Sequence, residues 1–190
     1  MKILCLFNNN CALPLFEELK KLGHETVLWS EKLTTADVEE GHYDLAVSYT
    51  YRYIIKGDVI SKMNGNIVNL HNSYLPFNRG ADPNLWSILE GTPRGVTLHF
   101  IDEGLDKGYI IAQRLVTKGD GDTLKSSYDN LDRNAREMFL EAFKYYPYWK
   151  EMAKKPEGKG TYHSVKDGEA MKSRINSYDM KISDFVSGEK

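Results

Sequence analysis

Two side chains in this sequence could act on one small reacting atom, Asn69 and His71, two residues apart; farther on lies an acidic turn of Asp102, Glu103 and, between Gly104 and Gly108, Asp106. Residues 66–71 (Asn-Ile-Val-Asn-Leu-His) predict a short buried strand. Alternate side chains on a strand share a face, so Asn69 and His71 leave it on the same side, about 7 Å apart at their backbones. That separation suits two hydrogen-bonding groups gripping one atom. On spacing alone, such a pair is more often a satisfied polar contact at a strand end than a catalytic one. By the same measure Asp102, Glu103 and Asp106 read as a solvated acidic turn.

The elements that must position these groups follow from the hydrophobic pattern. After His71 come Asn72-Ser73-Tyr74-Leu75-Pro76 and Arg79-Gly80-Ala81-Asp82-Pro83, irregular segments that keep the chain near the sheet edge, where doubly wound folds bind ligands. Asp82 or Asn84 is expected to cap a helix over 85–90, and 95–101 reads as a further strand. Towards the N-terminus, 1–7 reads as the first strand, 13–22 as a helix with Pro14 in its first turn and Gly23 after it, and 24–29 and 44–49 as strands. Residues 109–116 complete the strands, 118–122 predict a turn, and Thr123 should cap a long helix with an apolar stripe at 124, 128, 131, 135, 139 and 142, ending near Pro147. This is the grammar of an open, mostly parallel α/β sheet.

Composition narrows the function. A chain of 190 residues can bury a good core, and a net charge of −2 with no basic run gives no electrostatic footprint for nucleic acid. The apolar N-terminal run is too short for a membrane span and lacks a cleavage site, so no membrane partner is expected. Cys5 and Cys11 are too few for a disulfide framework and fit a reduced cytoplasm, and the five histidines show no metal-ligand spacing, so no metal is expected. Residues 154–160 (Lys-Lys-Pro-Glu-Gly-Lys-Gly) read as a linker or exposed loop, and 161–190 carry too few apolar groups to form a domain alone.

Taken together, Asn69-Leu70-His71, Ser73-Tyr74-Leu75-Pro76, Arg79-Gly80-Ala81, Gly95-Val96-Thr97-Leu98-His99 and Asp102-Glu103-Gly104-Leu105-Asp106-Lys107-Gly108, in this order and at these distances, resemble the folate-dependent formyltransferase family over residues 1–116. The resemblance implies a Rossmann-like, mostly parallel twisted sheet flanked by helices, with a catalytic domain over 1–150 and a C-terminal extension over 151–190. It implies 10-formyltetrahydrofolate as formyl donor and places Asn69, His71 and Asp106 at the family's catalytic positions. Formyl transfer to an amine needs an oxyanion stabilised and a proton removed. Asn69 and a protonated His71 would serve the first need and Asp106 the second. Tyr53, Ile54 and Ile55, with Tyr51, Gly104 and Leu105, would border the pterin ring; Asn9, Ser73, Arg79 and Gly80 would meet the acceptor substrate. His99 would orient the acidic loop, and the Leu75–Pro76 bond would be cis.

Within the family, Ser73-Tyr74-Leu75-Pro76, residues 78–84, Trp86, residues 48–53 and Gly160-Thr161-Tyr162-His163 are most similar to the sugar N-formyltransferases, which act on nucleotide-linked amino sugars. The turn after the first strand is Asn8-Asn9-Asn10 where the glycinamide-ribonucleotide branch carries a Gly-rich phosphate cradle. The tRNA-formylating branch carries a sizeable C-terminal domain that thirty polar residues do not supply. The expectation is therefore an enzyme for a nucleotide-linked amino sugar, able to form a homodimer. Transfer to another small amine, hydrolysis of the formyl donor, and a non-catalytic folate-binding module remain the alternatives.

Overall fold

The computed structural model describes residues 1–190 apart from Lys118, Asp120, Gly121, Glu189 and Lys190. The turn expected at 118–122 therefore lies largely outside the described residues. The apolar runs form β1 (Lys2–Leu6), β2 (Glu25–Trp29), β3 (Leu45–Tyr49) and β4 (Ile67–His71), paired in parallel. The two-residue β5 (Arg79–Gly80) lies outside that sheet, and β6 (Gly95–Phe100) and β7 (Ile110–Leu115) extend it antiparallel beyond β4, giving the order β2-β1-β3-β4-β6-β7. The mostly parallel α/β sheet expected from the sequence is present.

Alternation along the strands splits the core into two layers. Ile3 and Cys5 of β1, Val47 of β3 and Val68 of β4 face one side, where Leu15, Phe16 and Leu19 of α1 (Leu13–Lys21) and Leu131, Ala135 and Phe139 of a long helix cover them. Leu4, Leu6, Ala46 and Ile67 face the other, under Val38 of α2 (Thr35–Gly41) and Val59 of α3 (Gly57–Lys62). The sequence marked neither α2 nor α3: with seven and six residues they are too short to display a helical period. The signal that was there is the capping box of Thr34 and Asp37, in which each side chain bonds the other's backbone N–H.

In α4 (Pro83–Glu90) the expected cap is absent. Asp82 holds the N-cap position at φ +53° with no side-chain cap bond, and its carboxylate meets Lys172 Nζ at 2.7 Å; Asn84 Oδ1 instead accepts from Arg94 Nε at 3.2 Å and Ser127 Oγ at 3.0 Å. The long helix, α5 (Leu124–Phe143), has the expected Thr123 cap, closed reciprocally by Ser126. Its buried face carries polar Ser127 and Asp132 beside the apolar stripe, so it does more than cover the core.

The C-terminal third departs most from expectation. After α6 (Trp149–Met152), Lys154 exchanges two backbone hydrogen bonds with Ile110, of 2.7 and 2.8 Å, and Gly160 lies so close to Pro76 that a Cβ there would come within 2.1 Å of its carbonyl oxygen. Residues 154–160 thus form the exposed loop rather than the linker of the two expected readings, anchored to the domain at Lys154 and Gly160. Then β8 (Tyr162–His163) pairs in parallel with β5. Met171 of α7 (Glu169–Lys172) and Ile182 and Phe185 of α8 (Ile182–Ser187) close a small core with Leu85 and Leu124.

Candidate active site

The register of three neighbouring strands brings polar side chains into one row: Ser48 of β3 lies opposite Asn69 of β4, which lies opposite His99 of β6. They are joined in a chain. Ser48 Oγ donates to Asn69 Oδ1 at 2.9 Å, and Asn69 Nδ2 lies 3.3 Å from His99 Nε2. His99 Nδ1 is 2.8 Å from the Phe100 carbonyl, which can only accept, so Nδ1 carries the hydrogen and Nε2 accepts from the Asn69 amide. Burial pushes the His99 pKa down, overcoming the opposing pull of Asp106. Asn69 is fixed at both ends by these contacts, and its amide retains a second N–H.

His71 leaves the same face of β4 one alternation further on. Its Nε2 is 3.0 Å from the Asn78 carbonyl and by the same logic donates to it. Nδ1 faces Asp106 Oδ2 at 3.8 Å, and His99 Nε2 lies 3.6 Å from Asp106 Oδ1. Asp106 is left-handed at φ +51°, and its Oδ2 accepts the Gly80 N–H at 2.8 Å. Burial on its own would raise the Asp106 pKa; His71, His99, the Gly80 N–H and Arg79 together outweigh it and hold the carboxyl below the ordinary range. The acidic turn is therefore not uniformly solvated: Asp102 Oδ1 accepts from the Gly104 N–H at 2.9 Å, and Asp106 is turned inward.

Beside this cluster lies a cavity of about 220 Å³, lined by Asn69, His99 and Asp106, by all six residues expected at the pterin ring (Tyr51, Tyr53, Ile54, Ile55, Gly104, Leu105), and by Ser48, Arg52, Ile101, Asp102 and Glu103. Tyr51 is a fixed wall, its hydroxyl donating to the Glu31 carbonyl at 2.6 Å and accepting from the Leu33 N–H at 2.9 Å. Ile54 and Leu105 are exposed, and Ile55 is buried in the core beneath.

The residues expected to meet the acceptor substrate separate. Arg79 and Gly80 stand beside Asp106 in β5. Asn9 Oδ1 caps the turn after β1 by accepting from the Cys11 N–H at 3.0 Å, so its oxygen is committed there. Ser73 is fully buried and donates to the Phe77 carbonyl at 2.8 Å, so its hydrogen is committed within the loop. The Leu75–Pro76 bond in that loop is cis. Sequence reasoning gave no role to Ser48 or Asn78, which fix Asn69 and His71. The trace of the first was a lone hydroxyl ending the apolar run Leu45-Ala46-Val47.

Residues 13–143 match the family described as formyl transferase. The chain belongs to that family. Within it, the chain is 35% identical over 130 residues to dTDP-4-amino-4,6-dideoxyglucose formyltransferase of Mycobacterium bovis, a match that covers 68% of this chain and 55% of that protein. It is 30% identical over 132 residues to methionyl-tRNA formyltransferase of Thermodesulfovibrio yellowstonii, across 69% of this chain and 40% of that protein. The chain thus spans about half the length of the curated relatives it matches. Among solved structures it is similar to the formyltransferase PseJ from Anoxybacillus kamchatkensis, in complex with UDP-4,6-dideoxy-4-formamido-L-AltNAc and tetrahydrofolate, at TM-score 0.86 and 36% identity over 100% of both chains. Among the described residues, no His, Cys, Asp and Glu group of three or more could hold a metal ion, and no helix is long and apolar enough to cross a membrane.

Proposed function

We propose that this formyl transferase family member moves a formyl group from 10-formyltetrahydrofolate to the amino group of a nucleotide-linked amino sugar. The observation that carries the reading is a carboxylate kept ionised between two imidazoles, at the rim of a cavity that also exposes a doubly anchored amide. The full-length likeness to PseJ supports the donor and the acceptor class.

The cavity fits the donor's ring. At about 220 Å³ it is smaller than the roughly 300–1,000 Å³ that takes a whole drug-sized ligand, so it suits one fused ring with the rest of the molecule lying outside past Ile54 and Leu105. When bound, 10-formyltetrahydrofolate supplies a formyl carbon open to attack by an amine.

Each residue then has one task. The second N–H of Asn69 donates to the formyl oxygen as negative charge develops there. Because Ser48 and His99 already hold the amide, little reorganisation is needed. Asp106 accepts the proton that the attacking amine must lose, and His71, its Nδ1 3.8 Å from that carboxylate, is the second donor to the oxyanion beside Asn69. One proton leaves the amine and one is returned to the folate nitrogen, so the products are a formamide and tetrahydrofolate. Tyr109 and Leu115, exposed at and beside the edge strand β7, support the association of two copies.

The test offers purified protein and 10-formyltetrahydrofolate a panel of acceptors and follows formyl mass gain. The panel holds UDP- and dTDP-linked 4-amino-4,6-dideoxy sugars, the free sugars, glycinamide ribonucleotide and methionyl-tRNA. Product from a nucleotide-linked sugar alone is expected. Product from glycinamide ribonucleotide or methionyl-tRNA alone would overturn the acceptor, and folate consumption without product would make the protein a hydrolase.

A further inference from the structure

The site depends on a loop that its own hydrogen bonds, from Ser73 to Phe77 and from Phe77 to Tyr74, hold only in part. Two of its atoms touch the reacting cluster: the Asn78 carbonyl accepts from His71 Nε2, and the Gly80 N–H donates to Asp106 Oδ2. Both residues are left-handed, at φ +54° and +90°, and Asn78 has no glycine's freedom to be so. A conformation of that kind persists where the surroundings impose it.

Thr92 supplies part of those surroundings, its hydroxyl accepting from Asn78 Nδ2 at 2.7 Å, and the far end of the chain supplies the rest. The Thr161 hydroxyl accepts the Asn78 N–H at 2.8 Å and donates to Asn78 Oδ1 at 2.9 Å. The Thr161 carbonyl accepts the Arg79 N–H at 3.1 Å, the Thr161 N–H donates to Pro76 at 3.2 Å, and the His163 carbonyl accepts the Ala81 N–H at 2.9 Å. That same His163 oxygen would lie 2.3 Å from a Cβ at Gly80, so the two segments meet without slack. The His163 ring anchors the arrangement, stacked on Trp86 with centroids 3.9 Å apart and 9° between planes, its Nε2 3.1 Å from the Glu90 carboxylate.

We infer that the strap of Gly160 to His163 is a positioning element of the active site: Thr161 and His163 set where the Asn78 carbonyl and Gly80 amide stand, and through them the orientation of His71 and Asp106. The inference rests on the formyl-transfer reading for its kinetic consequence but not for its structural one. No strap residue lines the cavity beside Asn69, so donor binding is separable from positioning.

The test compares Thr161→Val, which keeps the shape and removes the hydroxyl, with Thr161→Ser, which restores it, and with His163→Ala. A displaced Gly80 N–H no longer helps to hold the proton off Asp106. In Thr161→Val and His163→Ala, kcat should therefore fall at least about tenfold, on the scale by which small misplacements of reacting groups slow enzymes. The acid limb of the kcat/KM profile should move to higher pH, the KM for 10-formyltetrahydrofolate should stay near the parent's, and Thr161→Ser should return both properties. Unchanged kcat and pH profile in both variants would overturn the inference. So would a loss that follows thermal stability alone and is not restored by serine. Should the parent itself transfer no formyl group, the Asp106 titration followed by carbon NMR decides: a raised midpoint in Thr161→Val sustains the strap's role, and an unmoved one ends it.

Discussion

Two aspartate side chains in this chain are equally little exposed, and their pKa values are displaced in opposite directions. The Asp106 side chain is 10% exposed and that of Asp132 11%, yet the first is held below the ordinary carboxylate range and the second is raised above it. Burial disfavours the charge at both; what differs is the partners. Asp106 takes a backbone N–H and lies against two imidazoles, with Arg79 adding to the field. Asp132 accepts from the Tyr49 hydroxyl and the Cys11 thiol, both neutral, with the Arg136 guanidinium 3.7 Å away as its cation. At Asp132 the hydrogen bonds from Tyr49 and Cys11 and the charge of Arg136 all pull the pKa down, but together they do not outweigh the desolvation. The hydroxyl and the thiol are themselves made inert: Tyr49 is pushed far up, and burial with Asp132 beside it pushes the Cys11 thiol up to about 12, which rules it out as a nucleophile at neutral pH. One cluster holds the carboxylate to which the proposed function assigns the proton, and the other ties α5 to β3.

The sharpest way to break this contrast is to neutralise each carboxylate in turn. Asp106→Asn keeps the shape and removes the proton acceptor, so kcat/KM for formyl transfer should fall by about 10²–10⁴, the range for a general base. Asp132→Asn can still accept from Tyr49, and its turnover should stay close to the parent's. Steady-state kinetics on both folded variants decides; equal losses would mean that the two clusters do the same work.

A smaller separation is expected along the row Ser48, Asn69 and His99. Asn69→Ala removes the donor at the formyl oxygen and should lower kcat by about a hundredfold. Ser48→Ala frees only the Oδ1 end of the amide and should lose less, with the KM for the folate donor unchanged. A loss in Ser48→Ala equal to that in Asn69→Ala would show that the amide donates only when held from both sides.

How much of this was legible in the sequence follows the distance over which each feature is decided. The strands, α1 and α5 came from local period and caps, and Asn69, His71 and Asp106 from a motif string that the family preserves in order. All six residues expected at the ring line the cavity, because they lie in two short contiguous stretches. What was not legible depends on pairing between distant segments. Ser73 reads like any loop serine until the turn to Phe77 buries it, and nothing near Thr161 in sequence indicates that its hydroxyl will meet Asn78, 83 residues away. The C-terminal stretch was underread for the same reason: Met171, Ile182 and Phe185 are too sparse to make a core until Leu85 and Leu124 complete it.

The finest test of the contrast is the pH dependence of stability, where the two carboxylates should act with opposite sign. Asp106 binds its proton less readily folded than unfolded. Its contribution is therefore present above about pH 4, the unfolded aspartate value, and is lost as pH falls through the lower folded value. Asp132 binds its proton more readily folded. Its effect is largest below about pH 4 and is lost as pH rises from there through the higher folded value, so at neutral pH the ionised group carries a penalty. Thermal denaturation from pH 3 to 8 should then show a shallower acid loss for Asp106→Asn than for the parent. Asp132→Asn should gain most relative to the parent near neutrality and least near pH 3. Because the partners differ and the side-chain exposure does not, parallel curves for the two variants would mean that burial alone sets both carboxyls, and the ionised state proposed for Asp106 would lose its physical cause.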